Sequence, residues 1–138
     1  MEFQADAIDH VEVFVSDIAV AQAWYAKVLG LTETRRWQPE PVMVGAGGTQ
    51  LALFQARAAP PRVAGVRHAQ PPYRWHRVAW RTSAAGFAAA QAHLQSLGIS
   101  FRGPMDHGSA LSIYFTDPHD NPLEITTYEL PPASLPVG

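Results

Sequence analysis

Two histidines and a glutamate stand at matched places in this chain, and these residue types together can hold a divalent metal. His10 lies in the run Ile8-Asp9-His10-Val11-Glu12-Val13-Phe14, and His76 in Trp75-His76-Arg77-Val78-Ala79-Trp80. Each run leads into a helical pattern that ends in leucine and glycine, Leu29-Gly30 and Leu97-Gly98. The histidines are 66 residues apart and the glycines 68, so one register holds within two residues. Internal self-similarity of this kind marks a repeated structural unit. Glu124, in the last alternating run, adds a carboxylate. A histidine in each first strand and a carboxylate in the last suggest a metal site assembled by internal duplication.

The elements that must position these groups follow from spacing. Helix one starts near Ser16-Asp17, either of which can cap free N–H groups. Ile18, Ala21, Tyr25 and Val28 then form one apolar face, and Gly30 marks the stop. Helix two repeats the design, with Ser83 as cap, Phe87, Ala90, Leu94 and Leu97 as the face, and Gly98 as the stop. Alternating runs near 31–37, 41–46 and 50–55, and near 100–103, 109–116 and 122–128, read as strands. Each half is therefore strand, helix, strand, strand, strand.

Side chains alternate across a strand with period two. Val11, Val13 and Val15 oppose His10, Glu12 and Phe14; Leu51 and Leu53 oppose Gln50, Ala52 and Phe54. Leu111, Ile113 and Phe115 oppose Ser112, Tyr114 and Thr116, and Leu123 and Ile125 oppose Glu124 and Thr126. One face of each sheet is aliphatic and suits a helix; the other is polar and aromatic and reads as a binding surface.

Composition bounds the rest. A chain of 138 residues can bury one domain's core. With 16% charged residues and a net charge of -2, nothing argues for nucleic acid or a membrane surface. The absence of cysteine excludes thiolate ligands, disulfides and a cysteine nucleophile. Without a signal-like N-terminus or a long apolar stretch, a cytoplasmic protein is expected. The chain reads as a single domain: module one at about 7–56, a linker at about 57–74, module two at about 75–129, and a proline-rich tail at 130–138. The linker, rich in proline and arginine (Arg57, Arg62, Arg67, Arg74), reads as a linker or lid.

The doubled unit, with Asp17 to Gly30 and the run Tyr114-Phe115-Thr116-Asp117-Pro118-His119-Asp120-Asn121-Pro122-Leu123-Glu124, resembles the vicinal oxygen chelate superfamily over about residues 8–128. That group includes glyoxalase I, type I extradiol dioxygenases, fosfomycin-resistance enzymes and bleomycin-binding proteins. The resemblance implies an α+β fold in which two tandem βαβββ modules form a half-open, barrel-like mixed sheet with helices outside. It also implies metal ligands at His10, His76 and Glu124, a small-molecule substrate and a homodimer. Such a set suits Fe(II) first, with Mn(II), Zn(II) or Ni(II) as alternatives. Glyoxalase I typically adds a fourth ligand from the first half, but Ala52 aligns with Glu124 there, and Gln50 is one step away.

The last strands resemble the extradiol signature in His107, Ile113, Tyr114, Asp117, Pro118 and Glu124, although Asp120 replaces the turn glycine. Ring-cleaving dioxygenation is therefore expected, with His107 and Tyr114 catalytic and Phe14, Phe54, Trp80 and Gln50 lining the substrate. The alternatives are a metal-dependent thiol transferase or isomerase of the fosfomycin-resistance or glyoxalase type, or a metal-free, bleomycin-type drug-binding protein.

Overall fold

A computed structural model of the chain describes residues 3–4, 7–56 and 76–130. The linker at 57–74, with its four arginines, and the tail beyond Leu130 lie outside the described residues. The chain divides into two compact units, Met1–Trp75 and His76–Gly138. In the first, β1 (Val11–Val15), α1 (Ile18–Leu29), β2 (Thr32–Arg36), β3 (Val42–Ala46) and β4 (Thr49–Gln55) follow in order. In the second the order is β5 (Val78–Arg81), α2 (Ala84–Ser96), β6 (Arg102–Asp106), β7 (Leu111–Thr116) and β8 (Pro122–Thr127). Each unit is one four-stranded mixed sheet, ordered β1-β4-β3-β2 in the first and β5-β8-β7-β6 in the second. The first strand of each lies parallel to the last, and the other pairs are antiparallel. The chain thus adopts the α+β class of two tandem βαβββ modules.

The helices form where caps and apolar spacing place them. The Asp17 carboxylate accepts from Val20 N at 2.9 Å, and Ser83 Oγ accepts from Gly86 N at 3.0 Å. Helix α1 buries Ala21, Tyr25 and Val28 and packs on β3 and β4; α2 buries Phe87 and Leu94 and packs on β8. Under them lie Val15, Leu51 and Leu53 in one unit and Ile113, Leu123 and Ile125 in the other, all buried. Full burial of each such side chain contributes about 1.5–3 kcal/mol, which a helix of this length needs because it is marginal alone.

Strand β6 departs from the sequence reading, lying at Arg102–Asp106 instead of 100–103. It contains Gly103 and Pro104. Proline lacks an N–H and is confined to edges and bulges, and β6 is an edge strand with a register shift between Arg102 and Met105. The turn after β7 is organised by buried Asp117, whose carboxylate accepts from His119 N at 2.8 Å, Asn121 N at 2.9 Å and Asn121 Nδ2 at 2.8 Å. Asp120 takes the left-handed conformation there, φ 66.

Candidate functional site

The polar face of the second sheet, opposite its aliphatic side, carries one continuous row. Arg102 pairs with Tyr114, Tyr114 with Glu124, and Glu124 with Ala79, so their side chains share a face across all four strands. Tyr114 Oη and His107 Nε2 are 2.5 Å apart, a hydrogen bond between the two side chains. Ser112 Oγ donates to Glu124 Oε2 at 2.8 Å, fixing the carboxylate. Two guanidiniums stand over the tyrosine ring: Arg77 Cζ is 4.4 Å and Arg102 Cζ 5.1 Å from its centroid. The two predicted catalytic residues, His107 and Tyr114, therefore meet, on the face that holds Glu124.

The register alters the place of His76. In the first unit Glu12 pairs with Ala52; in the second Ala79 pairs with Glu124. The residue two before Glu12 is His10, and the residue two before Ala79 is Arg77. Arg77 thus holds in its unit the place His10 holds in the other, and its Nη1 lies 4.0 Å from Glu124 Oε1. His76 comes one residue earlier, and its Nε2 accepts from Arg77 Nη2 at 2.9 Å. The same parity puts Trp80 opposite Ile125, on the aliphatic side. Its expected place in the pocket wall is corrected accordingly, because β5 turns the indole away from Tyr114 and Glu124.

In the first unit His10, Glu12 and Phe14 share the face opposite the helix with Gln50, Ala52 and Phe54. His10 Nδ1 meets Asp9 Oδ2 at 2.7 Å, and its Nε2 lies 3.3 Å from Glu12 Oε1. The Asp9 carboxylate, and then Glu12, hold the His10 pKa above its ordinary 6.5. The Gln50 side chain is engaged at both ends: Nε2 donates to Asp9 O at 3.4 Å, and Oε1 accepts from Thr34 Oγ1 at 2.5 Å. Phe14 and Phe54 meet edge to face, centroids 6.5 Å apart, beside a groove of about 620 Å³.

The resemblance implies a divalent metal held by His10, His76 and Glu124. A ligating histidine presents a bare ring nitrogen and a ligating carboxylate a free oxygen. Here His76 Nε2 is occupied by a guanidinium, and a fixed positive charge stands beside Glu124. Among the described residues no cluster of three or more His, Asp or Glu groups could hold a metal. Within the second unit, His76 Nε2 and the Glu124 carboxylate therefore both stand against Arg77.

Sequence reasoning missed Arg77, Arg102 and Ser112. Matching histidine to histidine sets the offset between halves at 66, whereas strand pairing sets it at 67, Glu12 to Ala79. Alternation counted from Val78 and Trp80 carries that signal.

A model of the Glyoxalase/Bleomycin resistance protein/Dioxygenase superfamily matches residues 7–125. Among solved structures, an integron cassette protein from the mobile metagenome of Halifax Harbour sewage outfall is 18% identical, with a TM-score of 0.71 over 89% of this chain and 99% of that one. Lactoylglutathione lyase from Agrobacterium tumefaciens is 21% identical, TM-score 0.64, over 89% and 94%. A genomically encoded fosfomycin resistance protein from Listeria monocytogenes is 15% identical, TM-score 0.69, over 92% and 97%. No match to a curated protein reaches significance.

Proposed function

The chain belongs to the glyoxalase/bleomycin resistance protein/dioxygenase superfamily, and from that premise we propose that it is an enzyme acting on a small aromatic or vicinally oxygenated compound by proton transfer at the Tyr114–His107 pair. The observation that carries this reading is the 2.5 Å contact between Oη and Nε2, set on the polar face in the row of Glu124. A substrate hydroxyl would give its proton to Oη as Oη passes its own to Nε2, leaving a substrate oxyanion and an imidazolium. Glu124, held by Ser112, fixes the orientation of a hydroxyl beside it. Members of this superfamily commonly use divalent metals, bind small molecules and form dimers; a cytoplasmic homodimer is part of the proposal.

Ring-cleaving dioxygenation would need Fe(II) held by His10, His76 and Glu124, of which His76 and Glu124 stand against Arg77 here. Elemental analysis of protein purified without tag or chelator tests this: less than stoichiometric metal is expected, and about one iron per chain would restore the dioxygenase. The proton-transfer step is tested by screening hydroxycarbonyl compounds and catechols in heavy water by NMR. Tyr114→Phe should slow turnover about a hundredfold with binding kept; unchanged turnover would return Tyr114 to a pocket wall.

A second reading has its own observation. Phe14 is 68% exposed against Phe54 at the edge of the first unit's groove, which suits an aromatic ligand held without chemistry, as in bleomycin-type binding proteins.

A further inference from the structure

The polar face of the second unit carries positive charge that the proton-transfer step leaves unused. Arg77, Arg81 and Arg102 lie on it, and Glu124 is the carboxylate of their row. Glu124 faces only one of them, Arg77, at 4.0 Å. Among the described residues no carboxylate pairs with Arg102, and Arg77 Nε is buried with no hydrogen-bond partner. Both Arg77 and Arg102 are held over the Tyr114 ring, an arrangement that orients two planar forks, although Arg77 Nη2 already donates to His76 Nε2. Two guanidiniums over one ring repel each other, and one carboxylate offsets only one of them. Together with Tyr114 and Thr116 they border a cavity of about 270 Å³.

We propose that this cavity binds the oxyanion head group, carboxylate or phosphoryl, of a small organic anion, with Arg77 and Arg102 as its two donors. Resting on the reading that this polar face receives the small molecule, the proposal names the charge class of that ligand. An oxyanion accepts paired N–H bonds from a guanidinium fork and supplies the negative charge that the site lacks.

The test is calorimetric titration of the full chain with benzoate, with its neutral isostere benzamide, and with inorganic phosphate. Benzoate and phosphate are expected to bind, benzamide to bind far more weakly, and added salt to weaken both anions. Arg102→Gln, at an exposed position, should weaken benzoate about tenfold or more, and Arg102→Lys should recover only part of that loss. Arg81→Gln removes the same charge from the same face but away from the cavity, and should leave binding unchanged. Equal losses in the Arg81 and Arg102 variants would show a diffuse field and overturn the proposal. Benzamide binding as well as benzoate would overturn it too while leaving the proton-transfer reading intact, and no binding by any probe would end it. Conversely, unchanged turnover in Tyr114→Phe with benzoate still bound would sink the proton-transfer reading and leave the anion site standing.

Discussion

A single residue of register separates a histidine from an arginine beside Glu124. A guanidinium is always charged and donates only, so it cannot ligate a metal; the same place filled by an imidazole could. The histidine of the first unit is altered differently, by two carboxylates. The raised His10 pKa means that its stabilising interaction is complete below the unfolded value near 6.5 and is lost as pH rises through the higher folded value. Asp9→Asn should therefore lower the midpoint of the His10 ring signals in an NMR titration, and an unmoved midpoint would show that Asp9 is not the cause. Asp117 plays a purely local part. Asp117→Ala orphans two backbone N–H groups in a buried turn and should cost about 2–3 kcal/mol in urea unfolding, whereas a loss below the scatter of the measurement would mean that water replaces the carboxylate.

Among the elements, the two edge strands beside the last turn of each module differ most. Strand β2 is tied to α1 by an exposed network in which Glu33 accepts from Gln22 Nε2 at 3.1 Å and from Arg36 Nε at 2.9 Å. Strand β6 instead relies on backbone shape. Gly103 has φ 108, and a Cβ there would lie 2.8 Å from the Ser112 carbonyl oxygen. Gly103→Ala should destabilise the chain by about 1–3 kcal/mol from backbone strain and disturb Arg102 and Ser112 with it. A variant of wild-type stability, measured by thermal unfolding, would refute that requirement. The sequence reading ended this strand near 103, whereas Pro104 is accommodated within it because β6 pairs only at a sheet edge.

At the scale of the whole molecule, the chain carries one topology twice, and no helix among its described residues is long and apolar enough to cross a membrane. With Arg77 bonded to His76 and standing beside Glu124, neither a chelator nor excess Zn(II) or Fe(II) is expected to raise or lower the melting temperature; a stabilisation that grows with metal concentration would restore the metal centre. Much of this architecture was legible in the chain itself. Caps at Asp17 and Ser83, the 3–4 spacing of Ala21, Tyr25 and Val28, and the alternation of Leu51 with Ala52 and Leu123 with Glu124 are local signals, set by hydrogen-bond geometry and by periods of 3.6 and 2. So the two modules, their aliphatic faces and the company of Tyr114 and Glu124 could be read from residue order. What the order of residues does not contain is which strand lies beside which and in what register. Pairing β5 with β8 is a contact between residues some 45 positions apart, Ala79 and Glu124, decided by the packing of the whole sheet. That pairing put Arg77 instead of His76 beside Glu124 and turned Trp80 under the sheet, while the pairing of β6 with β7 brought Arg102 to Tyr114.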